Sequence, residues 1–156
     1  MKKIIILIII VALSGAYQSN AQTKPLSGTS GQSAFINIPA ELEQRCKGFF
    51  DLLSKSEIKK AFDKVLEGSP IKNKEEQINN LIEQTKQSIV LYGKLSDSEP
   101  VSSEIASPSL IRLRYLAVHN TYPMRWIFTF YKSPKAGWII INIKLDDLSE
   151  YFFSDE

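Results

Sequence analysis

The stretch LIRLRYLAVHNTYPMRWIFTFYKSPKAGWIIINIKL, residues 110–145, decides the fold. It holds three runs rich in β-branched and aromatic residues, 110–119, 125–132 and 138–145, with the composition of strands. Two turn clusters, NTYPM and SPKAG, separate them. Connections this short join antiparallel neighbours, so the three runs predict a meander. Strand side chains alternate between faces. Trp126, Phe128 and Phe130 make one purely apolar set, and Ile139, Ile141, Ile143 and Leu145 make another; both are assigned to the core. Trp138, Ile140, Asn142 and Lys144 fall opposite the latter. In the first strand Ile111, Leu113, Tyr115, Ala117 and His119 are in phase with the core. Arg112, Arg114, Arg125 and Tyr131 fall on the outer face.

Upstream of this sheet the apolar period is helical. Leu42, Cys46, Phe49 and Leu53 recur at spacings of three and four in PAELEQRCKGFFDLLSK, which predicts a helix starting near Pro39. A second helical piece, EIKKAFDKVLEGS, has Ser56 as its expected N-cap and ends at Gly68 and Pro70. A third is expected to be capped by Asn73 with Glu76 three residues on. It carries a buried stripe of Ile78, Leu81, Ile82, Thr85, Ile89 and Tyr92, and stops at Gly93. A further strand is expected from Pro100 to Ser107, and the tail DDLSEYFFSDE keeps apolar residues for docking.

Residues 1–21 pair Lys2 and Lys3 with an unbroken apolar run, Ile4 to Leu13, then small residues up to Ala21. That order is the pattern of a secretory signal peptide. The apolar run has half the roughly 20 residues that a bilayer span needs, so a retained anchor is the lesser reading. Residues 22–38 read as a flexible lead-in, with Phe35, Ile36 and Ile38 available to dock, and residues 39–156 as one domain. Removing residues 1–21 leaves 135 residues with 17 basic and 17 acidic side chains. A neutral product gives no electrostatic case for nucleic acid or, once the signal is cleaved, for a membrane surface. The expected location is exported, periplasmic or secreted.

Chemistry-bearing motifs are sparse. One histidine and one cysteine cannot supply a zinc site, and no glycine-rich phosphate loop or serine elbow is present. No metal and no cofactor is expected. Cys46 reads as a buried apolar residue rather than a reactive thiol. No acid falls in phase with the inner strand face, which argues against proton-transfer catalysis there. The aromatic inner residues serve a core more often than a pocket. Asp146 and Asp147 mark the end of a strand.

Three helices before an antiparallel sheet is an α+β plan. Arg114-Tyr115, Arg125-Trp126, Phe130-Tyr131-Lys132, Trp138 and Asp146-Asp147 make a pattern that resembles small exported bacterial proteins of the nuclear-transport-factor-two-like fold, also called the cystatin-like cone. The resemblance covers about residues 40–153 and implies helices packed on a curved sheet. Enzymes of that superfamily use acids or His inside the cone, and none of those residues transfers to a position here. The expectation is a non-catalytic binding or interaction domain. Tyr115, His119 and Trp126 would line its ligand pocket. Arg125 and Tyr131 would lie on a face where a protein partner or a second copy packs. The alternatives are a cofactor-free isomerase or hydrolase working in the cone, and a structural surface protein that dimerises.

Overall fold

A computed structural model describes Phe35 and residues 37–153. The expected signal peptide and most of the expected lead-in lie outside the described residues. Three helices, α1 (Ala40–Leu53), α2 (Ile58–Val65) and α3 (Glu75–Tyr92), precede four strands, β1 (Leu95–Ser107), β2 (Leu110–His119), β3 (Met124–Ser133) and β4 (Gly137–Asp146). Short 3-10 turns occupy Pro70–Asn73 and Ser149–Phe152. The strands form one antiparallel sheet in the order β1-β2-β3-β4, curved and open at both edges. The fold is therefore α+β, with helices packed on a meander.

The core lies between α1, α2 and the inner sheet face. Leu42, Cys46, Phe49, Phe50 and Leu53 come from α1, and Ala61, Phe62 and Val65 from α2. They meet Leu113, Tyr115, Trp126, Phe128 and Phe130, all buried. The expected phases of β2 and β3 are thus observed. Phe35 joins this cluster and Ile38 packs against it, so the end of the lead-in belongs to the domain.

In β4 the expected phase holds only in part. Phe130 pairs with Ile140, but Thr129 pairs with Asn142, which leaves Ile141 as a bulge. One extra residue inverts the alternation. Ile140 and Ile143 are buried in the core and Trp138 packs against it, whereas Ile141 is 39% exposed. Ile141 is therefore not a core residue. Ile139 is buried outside the core cluster.

Other boundaries differ from the sequence reading for local reasons. β1 starts at Leu95 and continues past Pro100, with a register shift between Pro100 and Ser102. Ser56 has φ 63°, and Glu57 takes the N-cap position of α2. Asn73 does not cap α3. Pro70 nucleates a separate 3-10 turn that takes in Asn73, and Lys74 precedes the helix with no side-chain cap. Within α3 only Thr85 and Ser88 are buried. Their hydroxyls bond back to the carbonyls of Leu81 and Thr85. Ile78, Leu81, Ile82 and Tyr92 are half-buried at the core's rim.

The hydrogen-bond phase of the sheet follows from one contact. The Lys132 N–H donates to the Ser109 carbonyl at 2.8 Å, so even-numbered residues of β3 bond to β2 and odd-numbered ones to β4. Carried through the register, this turns the backbone groups of Ser98 and Pro100 toward the free edge of β1. Pro100 loses no ladder bond there, which is why a proline fits within the strand. On β4 it turns Trp138, Ile140, Ile143 and Leu145 toward the opposite free edge.

Gly93 makes the joint between helix and sheet. Its φ of 85° and ψ of −179° belong to a region that only glycine occupies comfortably. A Cβ there would sit 2.8 Å from the Asn120 Cβ. Gly93→Ala is expected to cost about 2 kcal/mol of unfolding free energy. The added substitution Asn120→Gly should recover only the part due to overlap. Urea denaturation of both variants measures the split.

Candidate binding groove

Tyr115 stands at the base of a groove between α1 and β1, of about 400 Å³. Its ring meets Phe35 edge-on at 5.3 Å and lies 5.2 Å from Phe50. Its phenol and the buried Cys46 thiol are near enough to act on one another's ionisation. Only 5% of Tyr115 remains exposed, and Phe35 closes over it. The groove floor is therefore Phe35, the edge of Tyr115 and Pro100, while Glu43, Asp51 and Asp97 stand on its rim.

Three carboxylates line the groove against one ammonium, with Gln44 and Ser98 able to donate or accept. The Asp97 carboxylate takes the Ser98 N–H at 2.7 Å. Pro100 has no N–H, and the backbone phase points the carbonyls of Ser98 and Pro100 outward. Lys47, the lining cation, is held by Asp51 at 3.0 Å. What the groove offers is a surplus of carboxylates beside an apolar floor.

The two other residues expected in a pocket lie elsewhere. Trp126 is 2% exposed and sits among Phe49, Phe50, Phe62 and Phe128, with ring centroids 5.0–6.3 Å away. It belongs to the packed interior behind the groove. His119 is half-buried at the end of β2, where Nδ1 lies 2.7 Å from the Gly93 carbonyl. The carbonyl can only accept, so Nδ1 carries the proton. This bond ties the strand end to the end of α3, and no hydrogen bond to a carboxylate is found at His119 among the described residues. The structure thus places Tyr115 at the base of the groove and separates it from His119.

On the outer face Arg125 is also committed. Its Nε and Nη2 bond Asp146 at 3.0 and 2.9 Å, a two-point pairing across β3 and β4. The Tyr151 ring, in the closing 3-10 turn, stacks 4.7 Å from the guanidinium carbon. The tail therefore covers Arg125, which is 5% exposed, so it offers little contact surface to a partner. Tyr131, at 38%, is open on the same face. Arg112 and Arg114 both reach Glu104, at 3.2 and 3.5 Å.

Cys46 has no exposed surface, and burial pushes its thiol well above the ordinary value of 9.0. Burial likewise raises the Tyr115 phenol above its ordinary 10.0. Both groups fold in the protonated form. Their favourable contribution is complete below the ordinary values and declines as pH rises past them. Stability should therefore be flat in this term through neutral pH and fall progressively above about pH 9. Urea midpoints measured across that range test the sign, and Cys46→Ala should flatten the first part of the decline. Thiol-specific labelling at neutral pH should detect Cys46 only after unfolding.

Arg45 was not singled out by the sequence, and it joins three elements through backbone carbonyls. Nε donates to the Val65 carbonyl at 2.8 Å and Nη1 to the Trp138 carbonyl at 3.0 Å, while Nη2 donates to that of Glu67. Nothing in the local sequence marks this role, because the partners lie 20, 22 and 93 residues away. Compared with protein-family models, curated proteins and solved structures, the chain matches none of them.

Proposed function

We propose that this chain is an exported, non-catalytic binding domain of the cone type, and that it holds its ligand in the groove between α1 and β1. The observation behind this reading is the pairing of two aromatic rings, Phe35 and Tyr115, with three carboxylates, Glu43, Asp51 and Asp97, against the one ammonium of Lys47. Such a site favours a small organic cation, whose ammonium or guanidinium meets carbonyls and carboxylates while its apolar body covers the rings. The open groove leaves the ligand half in water, so affinity should be modest. Phenethylammonium is a suitable probe, with phenylacetate as the anionic match.

Amide NMR of the purified protein should show saturable shifts at Phe35, Ser98 and Tyr115, with a Kd of about 1 mM, or about 4 kcal/mol. Asp97→Asn and Glu43→Gln should each weaken binding severalfold, and Tyr115→Phe, which keeps the ring and both carboxylates, should leave it nearly unchanged. Equal shifts with phenylacetate, or none near the groove with either probe, would sink the proposal.

A further inference from the structure

The groove at Tyr115 holds more negative charge than one ammonium can answer. Four charged residues line it, Glu43, Lys47 and Asp51 on α1 and Asp97 on β1. Lys47 lies one helical turn from both acids of α1 and gives its ammonium to one of them, with Asp51 Oδ1 and Oδ2 at 3.1 and 3.0 Å. That leaves Glu43 and Asp97 on opposite walls, and neither has an ion-pair partner among the described residues. Asp97 accepts the Ser98 N–H through Oδ1, and Oδ2 stays open. Glu43 acts on the base of the groove, since its charge is felt at both the Tyr115 phenol and the Cys46 thiol.

These carboxylates do not converge on one point. Among the described residues no three acids lie close enough together to hold a metal ion. The charge is spread across the groove, and the floor between its walls is apolar, made of Phe35, Tyr115 and Pro100. A ligand with one cationic group satisfies one of the two open acids and leaves the other without a counter-charge. A second cationic group on the same molecule meets it, while the apolar spine between the two covers the rings. The second contact then forms within a complex that already exists, so two weak contacts reinforce one another.

We propose that the groove is built for an organic dication, a molecule with two ammonium or guanidinium groups on an apolar spine, one group at Glu43 and the other at Asp97. The proposal rests on the groove's role as a cation site and narrows it. A monocation is an incomplete ligand. A zwitterion such as a free amino acid brings its own carboxylate against the surplus and is disfavoured. Lys47 fixes the stoichiometry of charge: with Asp51 matched, two acids are left for two cationic groups.

The probes are a matched pair, p-xylylenediammonium and 4-methylbenzylammonium, which share an aromatic body and differ by one ammonium. Amide NMR titrations of the purified protein at low ionic strength, read at Phe35 and Ser98, give both affinities. Two equivalent ends favour the dication about twofold by statistics, and an exposed ion pair at the second carboxylate adds roughly threefold to fivefold, so the dication should bind about sixfold to tenfold tighter. Added salt should shrink that advantage. Glu43→Gln and Asp97→Asn should each return the ratio to the statistical one, and both side chains lie outside the core, so the fold is kept. A ratio no better than the statistical one, with both probes bound, overturns the proposal and leaves the groove a cation site. A ratio that survives both substitutions also overturns it, because the second ammonium is then held elsewhere. Binding of neither probe removes the cation site and the proposal with it.

Discussion

Replacing Trp126 by alanine is expected to lower unfolding free energy by about 4 kcal/mol. Four rings surround the indole. Phe49, Phe50 and Phe62 approach from the helices and Phe128 stacks from the same strand at an interplanar angle of 14°. Its exposure is 2%, so the transfer term is close to complete, and the surrounding rings are too stiff to refill the space left behind. A domain of this size has about 5–15 kcal/mol in total, so the variant should stand near its threshold. Trp126→Phe keeps part of the volume and should lose roughly half as much. The measurement is a urea titration with the m-value as control, since an unchanged slope assigns the shift in midpoint to stability. A loss under about 1 kcal/mol, together with lost ligand binding, would return Trp126 to a surface site. The prediction also sets how binding data are read: a defect in Trp126→Ala reports a damaged scaffold, whereas one in Asp97→Asn reports the groove.

The same contrast shows what the sequence could disclose. β3 was legible because its two faces differ sharply: Trp126, Phe128 and Phe130 alternate against Arg125, Thr129 and Tyr131. β4 was only partly legible. Its run Ile139-Ile140-Ile141 is apolar at every position, so nothing in composition marks where the bulge interrupts the period. The helices were readable from their stripes, but their starts were not, since Ser56 and Asn73 have cap-forming side chains and are drawn into other turns. Arg125 could be placed on the outer face by parity. Its pairing with Asp146 needed the register of β3 against β4, and its cover by Tyr151 needed the path of the tail. His119 illustrates the limit from the other side. A lone histidine at a strand end draws notice by its chemistry, while the bond that fixes it goes to a backbone carbonyl 26 residues away. Tyr115 was assigned to the inner face and is there, but its place on a groove depends on α1 and Phe35 passing close to β1.

Arg45→Met is expected to cost about 3 kcal/mol, well above the change for an ordinary half-exposed position. The arginine does for the backbone what no neighbouring segment does. The Val65 and Glu67 carbonyls lie at the C-terminal end of α2, where helix carbonyls lack partners within the helix. The Trp138 carbonyl lies on the free edge of β4 and has no strand beyond it. One planar guanidinium reaches all three, because its donors diverge in a fixed fork. Burial lowers the pKa of Arg45, yet a guanidinium starts so high that it stays charged at neutral pH. Methionine keeps most of the stem's apolar contact and removes every donor, so the loss isolates the hydrogen bonds. Arg45→Lys should recover less than half of it, since a compact ammonium cannot face three carbonyls spread over two elements. The variant has a second expected outcome, at the sheet edge. With the Trp138 carbonyl released, only the Ser69 hydroxyl on the Ile140 carbonyl still guards the start of β4, and more of its edge is open to pairing. Arg45→Met should therefore self-associate more readily than a control destabilised equally by Gly93→Ala. Light scattering at matched stability separates the two effects, and equal association in both variants would show that Arg45 holds α2 without shielding the edge.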